Sequence, residues 1–213
     1  MKLTSGIILV GVLALGLTAC DKSAQETKTA GEQITTTQSA PEQVTSEKST
    51  SKQIKADIMA VQKSMEKVSH LSQEQQKLQQ ELSHVKTKAE ADKILRKQVA
   101  ILEQMQTSLN APQIKTPEVQ SSLNKVKKGV DDIRVGVLAF IALSEKDAND
   151  PKVVQAVNQD MMSGLTTFFA GIDEITKLAG ENGLAVNSDA NHEYERAKQE
   201  IQGMTDETNT HKH

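Results

Sequence analysis

The chain has no tryptophan, one tyrosine (Tyr194) and three phenylalanines (Phe140, Phe168 and Phe169) in 213 residues. With aromatics this scarce, and with Lys, Gln, Glu, Ala, Leu and Ser dominant, the composition is poor for sheets and suits long amphipathic helices. There is one cysteine, Cys20, so no internal disulfide can form. An excess of charge is also lacking: 25 basic and 28 acidic residues leave a net charge of −3. Nucleic-acid binding needs a concentrated basic face, and this weak acidity argues against such a partner. The length is enough for one domain with accessory segments and does not require two.

Cysteine scarcity makes the position of Cys20 informative. Lys2 supplies a minimal positive n-region, and Gly6 to Leu17 (GIILVGVLALGL) is an apolar run of twelve residues. That length suits the hydrophobic stretch of a signal peptide and is short of the roughly 20 residues a membrane-spanning helix needs. The run ends in Leu17-Thr18-Ala19-Cys20, which resembles the lipobox of bacterial lipoproteins. The resemblance covers residues 1–20 only. It implies that residues 1–19 are cleaved, that Cys20 becomes the N-terminus, and that its thiol carries a diacylglyceryl group. Two or three acyl chains anchor stably where one binds only marginally. Asp21 follows, which in enterobacterial lipoproteins favours inner-membrane retention; Lys22 leaves inner and outer membrane both open.

From Asp21 to about Ser51 the sequence is rich in Ser, Thr, Gln, Glu and Lys, with only Ile34 and Val44 as isolated large apolar residues. Such a segment buries too little to offset the entropy of ordering and is expected to be a disordered tether. About 31 flexible residues reach roughly 30 Å on average and around 100 Å when stretched. A helical domain is expected over residues 52–205, followed by a polar tail over 206–213.

Apolar spacing within that domain predicts four main helices. The first runs from Lys52 to about Val85, with Ile54, Ile58, Val61, Met65, Val68, Leu71, Leu78 and Leu82 on one seam interrupted by Gln75. The second spans Lys88 to Leu109. No Gly or Pro separates the two, but their apolar faces point in opposite directions, so a turn near Ser83–Lys88 is required. Thr87 and Glu90 offer a capping box there. Thr116-Pro117 opens the third helix, which carries Val119, Leu123, Val126, Val130, Ile133, Val137 and Phe140; Asp150-Pro151 opens the fourth. The fourth is expected to stop at Gly180. A shorter helix follows from Ser188, with Tyr194, Ala197, Ile201 and Met204. Short loops make this an all-α, antiparallel up-down-up-down bundle of four main helices plus a short C-terminal helix. Folding about Asp147–Asp150 pairs residues whose numbers sum to about 297. Gly129 then faces Phe168, Gly136 faces Met161, Gly164 faces Ile133 and Gly171 faces Val126.

Catalytic chemistry finds little to work with. His192-Glu193-Tyr194-Glu195-Arg196 begins like HExxH, but Arg196 stands where zinc needs its second histidine. Ser163-Gly164 lacks the first glycine of GxSxG and lies mid-helix. His70 and His84 share a side of the first helix, but no CxxCH attaches a haem, and methionines at helical spacing usually fill cores. His211 and His213 lie in the tail. Lys125, Lys127 and Lys128 are followed at once by Asp131 and Asp132, as on a charge-balanced solvent face. Val135 to Leu143 (VGVLAFIAL) is too short to cross a bilayer and is expected to be the most buried part of the bundle.

The expectation is therefore a lipid-anchored envelope protein without enzymatic activity, cofactor or metal. Its membrane partner is reached through Cys20, and its helical domain binds another envelope protein as a scaffold or inhibitor. The alternative is a carrier holding an apolar ligand between the third and fourth helices.

Overall fold

In a computed structural model of the protein, residues 49–184 and the single position 199 are described. They form helices and, among the described residues, no strand. The order is α1 (Ser51–Glu66), α2 (Leu71–Ser83), α3 (Lys88–Asn110), α4 (Pro117–Ala142) and α5 (Pro151–Glu181), with one 3-10 turn, Asp147–Asn149, before α5. The all-α bundle expected from the sequence is the observed fold. The signal segment, the tether as far as residue 48, the C-terminal helix apart from Gln199, and the tail lie outside the described residues.

Local chemistry sets the helix starts. Thr87 Oγ1 accepts from Glu90 N at 3.2 Å while the Glu90 carboxylate accepts from Thr87 N at 3.2 Å, completing the capping box. Thr50 and Gln53 make the same exchange at the start of α1. Asp150 Oδ1 accepts from Lys152 N at 2.9 Å, with Pro151 at the first helical position of α5. Thr116 is the residue before α4, but its hydroxyl does not cap that helix.

Two boundaries differ from expectation. The helix expected from Lys52 to Val85 is broken into α1 and α2. Through the break, Val68 N donates to Met65 O (3.0 Å), Ser69 N to Glu66 O (3.2 Å) and Leu71 N to Val68 O (2.9 Å). These bonds span three residues instead of four, which tightens the backbone into turns. Ser69 Oγ also donates to Glu66 O, at 2.9 Å, competing with a continuing helix. The second difference is at the end of α5, which passes through Gly180. Gly183, at φ 69°, makes the stop. Gly183 N donates to Gly180 O (3.0 Å) and Leu184 N to Ala179 O (2.9 Å), the Schellman pattern that a left-handed glycine permits.

Helices α2 to α5 are successive antiparallel neighbours. Lys97 of α3 pairs with Glu81 of α2 at 3.6 Å. Lys88 and Gln106 of α3 reach the Ile141 carbonyl (2.9 Å) and Asp131 (3.0 Å) of α4. Ser122 of α4 donates to Glu174 of α5 at 3.0 Å. Helix α1 instead crosses one end: Ser49, just before it, donates to Glu118, Asp57 meets Lys115 and Thr116, and Ser64 donates to the Ser108 carbonyl. Its contacts thus pass from the start of α4 to the end of α3.

The tightest packing joins α4 to α5. A Cβ on Gly129 would lie 2.5 Å from the Phe168 backbone nitrogen; one on Gly171 would lie 2.7 Å from Val126 N, and one on Gly164 2.9 Å from Ile133 N. A Cβ on Gly136 would strike the Met161 side chain. All four expected pairings are present, and each glycine is buried. Absence of side chains lets two backbones approach, and knobs such as Phe168 fill the notches. Leu123, Ile133, Phe140, Leu165 and Phe168 are at most 2 % exposed and form the interior of this hairpin.

Candidate functional site

Chemically reactive side chains are dispersed over the fold. His70 and His84 flank α2 at opposite ends, roughly 20 Å apart along a helix of that length, so they do not share a site. His84 Nδ1 lies 2.8 Å from the Gln80 carbonyl and 3.0 Å from Ser83 Oγ. Among the described residues, no three His, Cys, Asp or Glu side chains come together in a metal-binding group. Met65, Met105, Met161 and Met162 are core residues. Cys20, Leu17, Thr18 and Ala19 lie outside the described residues, as do His192 and Arg196.

Several charged groups pair with one another. Lys125 pairs with Glu174 across the α4–α5 interface, and Lys128 with Asp132 one turn away at 2.5 Å. Two of the three lysines in the basic cluster are thereby paired in place. The Lys125 ammonium, helped by the Ser122 hydroxyl, holds the Glu174 carboxyl below the usual range. The Arg134 guanidinium, then the Gln106 amide, does the same for Asp131. At the start of α3, the Lys86 backbone N–H is the largest influence lowering Glu90. Each of these carboxylates accepts hydrogen bonds that favour its ionised form.

One polar knot escaped the sequence reading. Asp57 is buried, and its Oδ2 accepts from Thr116 N (2.7 Å), Lys115 N (2.8 Å) and Thr116 Oγ1 (2.8 Å). It supplies from α1 the oxygen that the N-terminus of α4 does not obtain from its own cap. A visible signal was an acid directly beside Ile58 on the seam of an amphipathic helix, where burial requires partners.

The feature best suited to recognition is apolar. Contrary to the expectation from its sequence, the stretch from Val135 to Leu143 is not the most buried part of the bundle. Gly136, Val137 and Phe140 face the core, whereas Val135 (52 % exposed) and Leu138 (37 %) face outward with Ala139 and Ala142. Earlier turns of the same outer face carry Ser121, Asn124, Lys125 and Lys128. The helix therefore changes character along its solvent side, from polar to apolar over its last third. Val135 lies 17 residues beyond Glu118, where Ser49 attaches, about 26 Å along the axis. The strip and Ser49, where the described residues begin, are at opposite ends of the bundle. At the α2–α3 turn there is also a wide-mouthed recess of about 720 Å³, lined by Gln80, Glu81, His84, Val85, Glu90 and Ile94 among others. Its charged rim and open shape are suited to solvent more than to an enclosed ligand.

Among known proteins, no family model, no curated sequence and no solved structure matches this chain.

Proposed function

We propose that the chain is a bacterial envelope lipoprotein, anchored by acyl chains on Cys20, whose helical domain is a non-enzymatic protein-binding module acting as a scaffold or inhibitor. The anchor half of this reading rests on the lipobox resemblance at Leu17-Thr18-Ala19-Cys20. The binding half rests on one observation: the apolar strip of Val135, Leu138, Ala139 and Ala142 at the end of the bundle remote from Ser49. An anchored domain presents its far end to neighbours at the membrane, and an outward apolar patch on a charged helix is where a protein partner gains most from desolvation. The domain then faces the periplasm or the cell surface.

The carrier alternative places an apolar ligand between α4 and α5. That interface is occupied by glycine-to-backbone contact at Gly129, Gly164 and Gly171, which favours the binding module.

A photo-crosslinking residue placed at Leu138 in living cells is expected to capture a defined envelope protein, identified by mass spectrometry. The same residue at Gln155, exposed on α5, should not capture it. No adduct at 138, or the same adducts at both positions, would contradict the assignment of the strip.

A further inference from the structure

We infer that the partner of the outward strip on α4 is an amphipathic helix with carboxylates along one edge and basic groups along the other, which rests on the proposed role of that strip in binding protein. Helix register places a charge of each sign beside the strip. On the α3 side, Lys88 and Gln106 bond to the Ile141 carbonyl and to Asp131, and they stand five full turns apart on one line of the helix. Arg96 lies between them, which sets it level with the Val135–Leu138 turn of α4. It is rotated about 80° from that line, and its exposure puts the rotation on the solvent side.

On the other flank, facing residues of α4 and α5 have numbers that sum to about 297, as Gly136 with Met161 and Gly164 with Ile133. Asp160 therefore stands level with Val137. It is one turn from Gly164 on the side of α5 that meets α4, and it is exposed. A cation on α3 and an anion on α5 thus bracket the strip at one height.

Neither charge is used within the fold. Arg96 and Asp160 have no ion pair or hydrogen bond among the described residues, whereas Lys88, Asp92, Asp131, Asp132 and Arg134 on the adjoining turns are all paired. Lys93, one turn from Arg96 and also unpaired, adds to the positive flank. Opposite charges on the two edges of an apolar strip fix both the chemistry and the direction of a partner laid along it.

Shape selects a helix. Ala139 and Ala142, with Ala156 across on α5, are small and exposed beside the larger Val135 and Leu138. Small side chains let a helix axis come close, and bulky apolar side chains at spacings of three and four fill the notches between them.

A second copy fits this surface less well. It would set alanine against alanine, with two exposed large apolar side chains on each strip, where stable association buries about 1,200 Å² or more. An antiparallel pair about a two-fold axis would also set Arg96 against Arg96. An anionic lipid surface is disfavoured by Asp160 at the edge of the strip.

The test uses the full chain in living cells, with the photo-crosslinking residue at Leu138 and adducts read by mass spectrometry. Arg96→Glu combined with Asp160→Lys is expected to lower the adduct yield about tenfold, and Arg96→Gln alone about threefold. Lys63→Glu, an exposed position on α1, should leave it unchanged. The crosslinked peptide of the partner should carry Asp or Glu three or four residues from a large apolar side chain. Both replaced side chains are exposed and unpaired, so urea midpoints are expected to stay the same. Undiminished yield in the charge variants would overturn this inference and leave the protein-binding role of the strip standing. Adducts to a second copy or to lipid would also overturn it. No adduct in the chain with its charges intact would overturn both.

Discussion

A hydrogen atom is the whole side chain at Gly129, Gly136, Gly164 and Gly171, and the four positions do not tolerate an added carbon equally. At Gly129 the obstacle is the Phe168 backbone, which cannot swing aside; at Gly136 it is the flexible Met161 side chain. Gly129→Ala is therefore expected to destabilise by about 2–3 kcal/mol through overpacking, despite alanine's better helix propensity. Gly136→Ala should cost less, about 1 kcal/mol, since the added carbon forces the buried Met161 Cγ into another rotamer while the propensity gain offsets part of that cost. Gly136→Leu exceeds what Met161 can yield and should cost about 1–3 kcal/mol. Gly180 has nothing within 4 Å of its added Cβ, so Gly180→Ala should stabilise by up to about 1 kcal/mol. Urea midpoints for the four variants check this order. Neutral behaviour of Gly129→Ala would remove the close α4–α5 contact. These pairings were legible in the sequence because a short loop fixes the antiparallel register, and the register then names each opposing residue. The stop at Gly183 was harder to see. Gly180 is the first glycine reached, but polar residues follow it, whereas Gly183 is followed by Leu184, which supplies the apolar contact of the Schellman turn.

At the scale of elements, α1 is held to the start of α4 by polar latches as well as by its apolar face. Asp57→Ala leaves the backbone donors of Lys115 and Thr116 without their acceptor, one of them buried. A cost of about 2–3 kcal/mol is expected, read from thermal or urea unfolding. Thr116→Val removes only the hydroxyl bond and should cost about 1 kcal/mol. Equal small effects would show that α1 is held by apolar packing alone. The pH dependence belongs to the same scale, because Glu174 joins α5 to α4 and Asp131 joins α4 to α3. Both carboxyls are held below their ordinary values when folded. Their contribution is thus present above the unfolded value, about 4, and is lost as pH falls through the folded value. Tm should decline on acidification below about pH 4, and Glu174→Gln should flatten that decline. Both groups are about half exposed, so water keeps the effect small. The break between α1 and α2 was not legible. Val68 and Leu71 continue the seam at a spacing of three, and a tight turn that preserves the spacing leaves no mark on periodicity. The turn before α3 was legible, because there the apolar face reverses and Thr87 and Glu90 provide the cap.

For the whole molecule, the parts divide by what each kind of signal can carry. Helical periodicity and caps gave the bundle. Contacts between elements distant in sequence, such as Asp57 with Thr116 and Ser49 with Glu118, follow only from the assembled fold. The outward side of Val135 and Leu138 was hidden because an apolar run reads as buried on all sides until its neighbours are known. The proposed anchoring is carried by the sequence alone, in four residues. Its central claim is that Cys20 is the acylated N-terminus of the mature protein. Intact and peptide mass spectrometry of the protein purified from membranes tests this most directly. The account predicts a mature chain lacking residues 1–19 and beginning at Cys20, with a diacylglyceryl mass on the thiol that disappears, together with processing, in Cys20→Ala. A chain that retains Met1, or one cleaved before Cys20 with a free thiol, would contradict it.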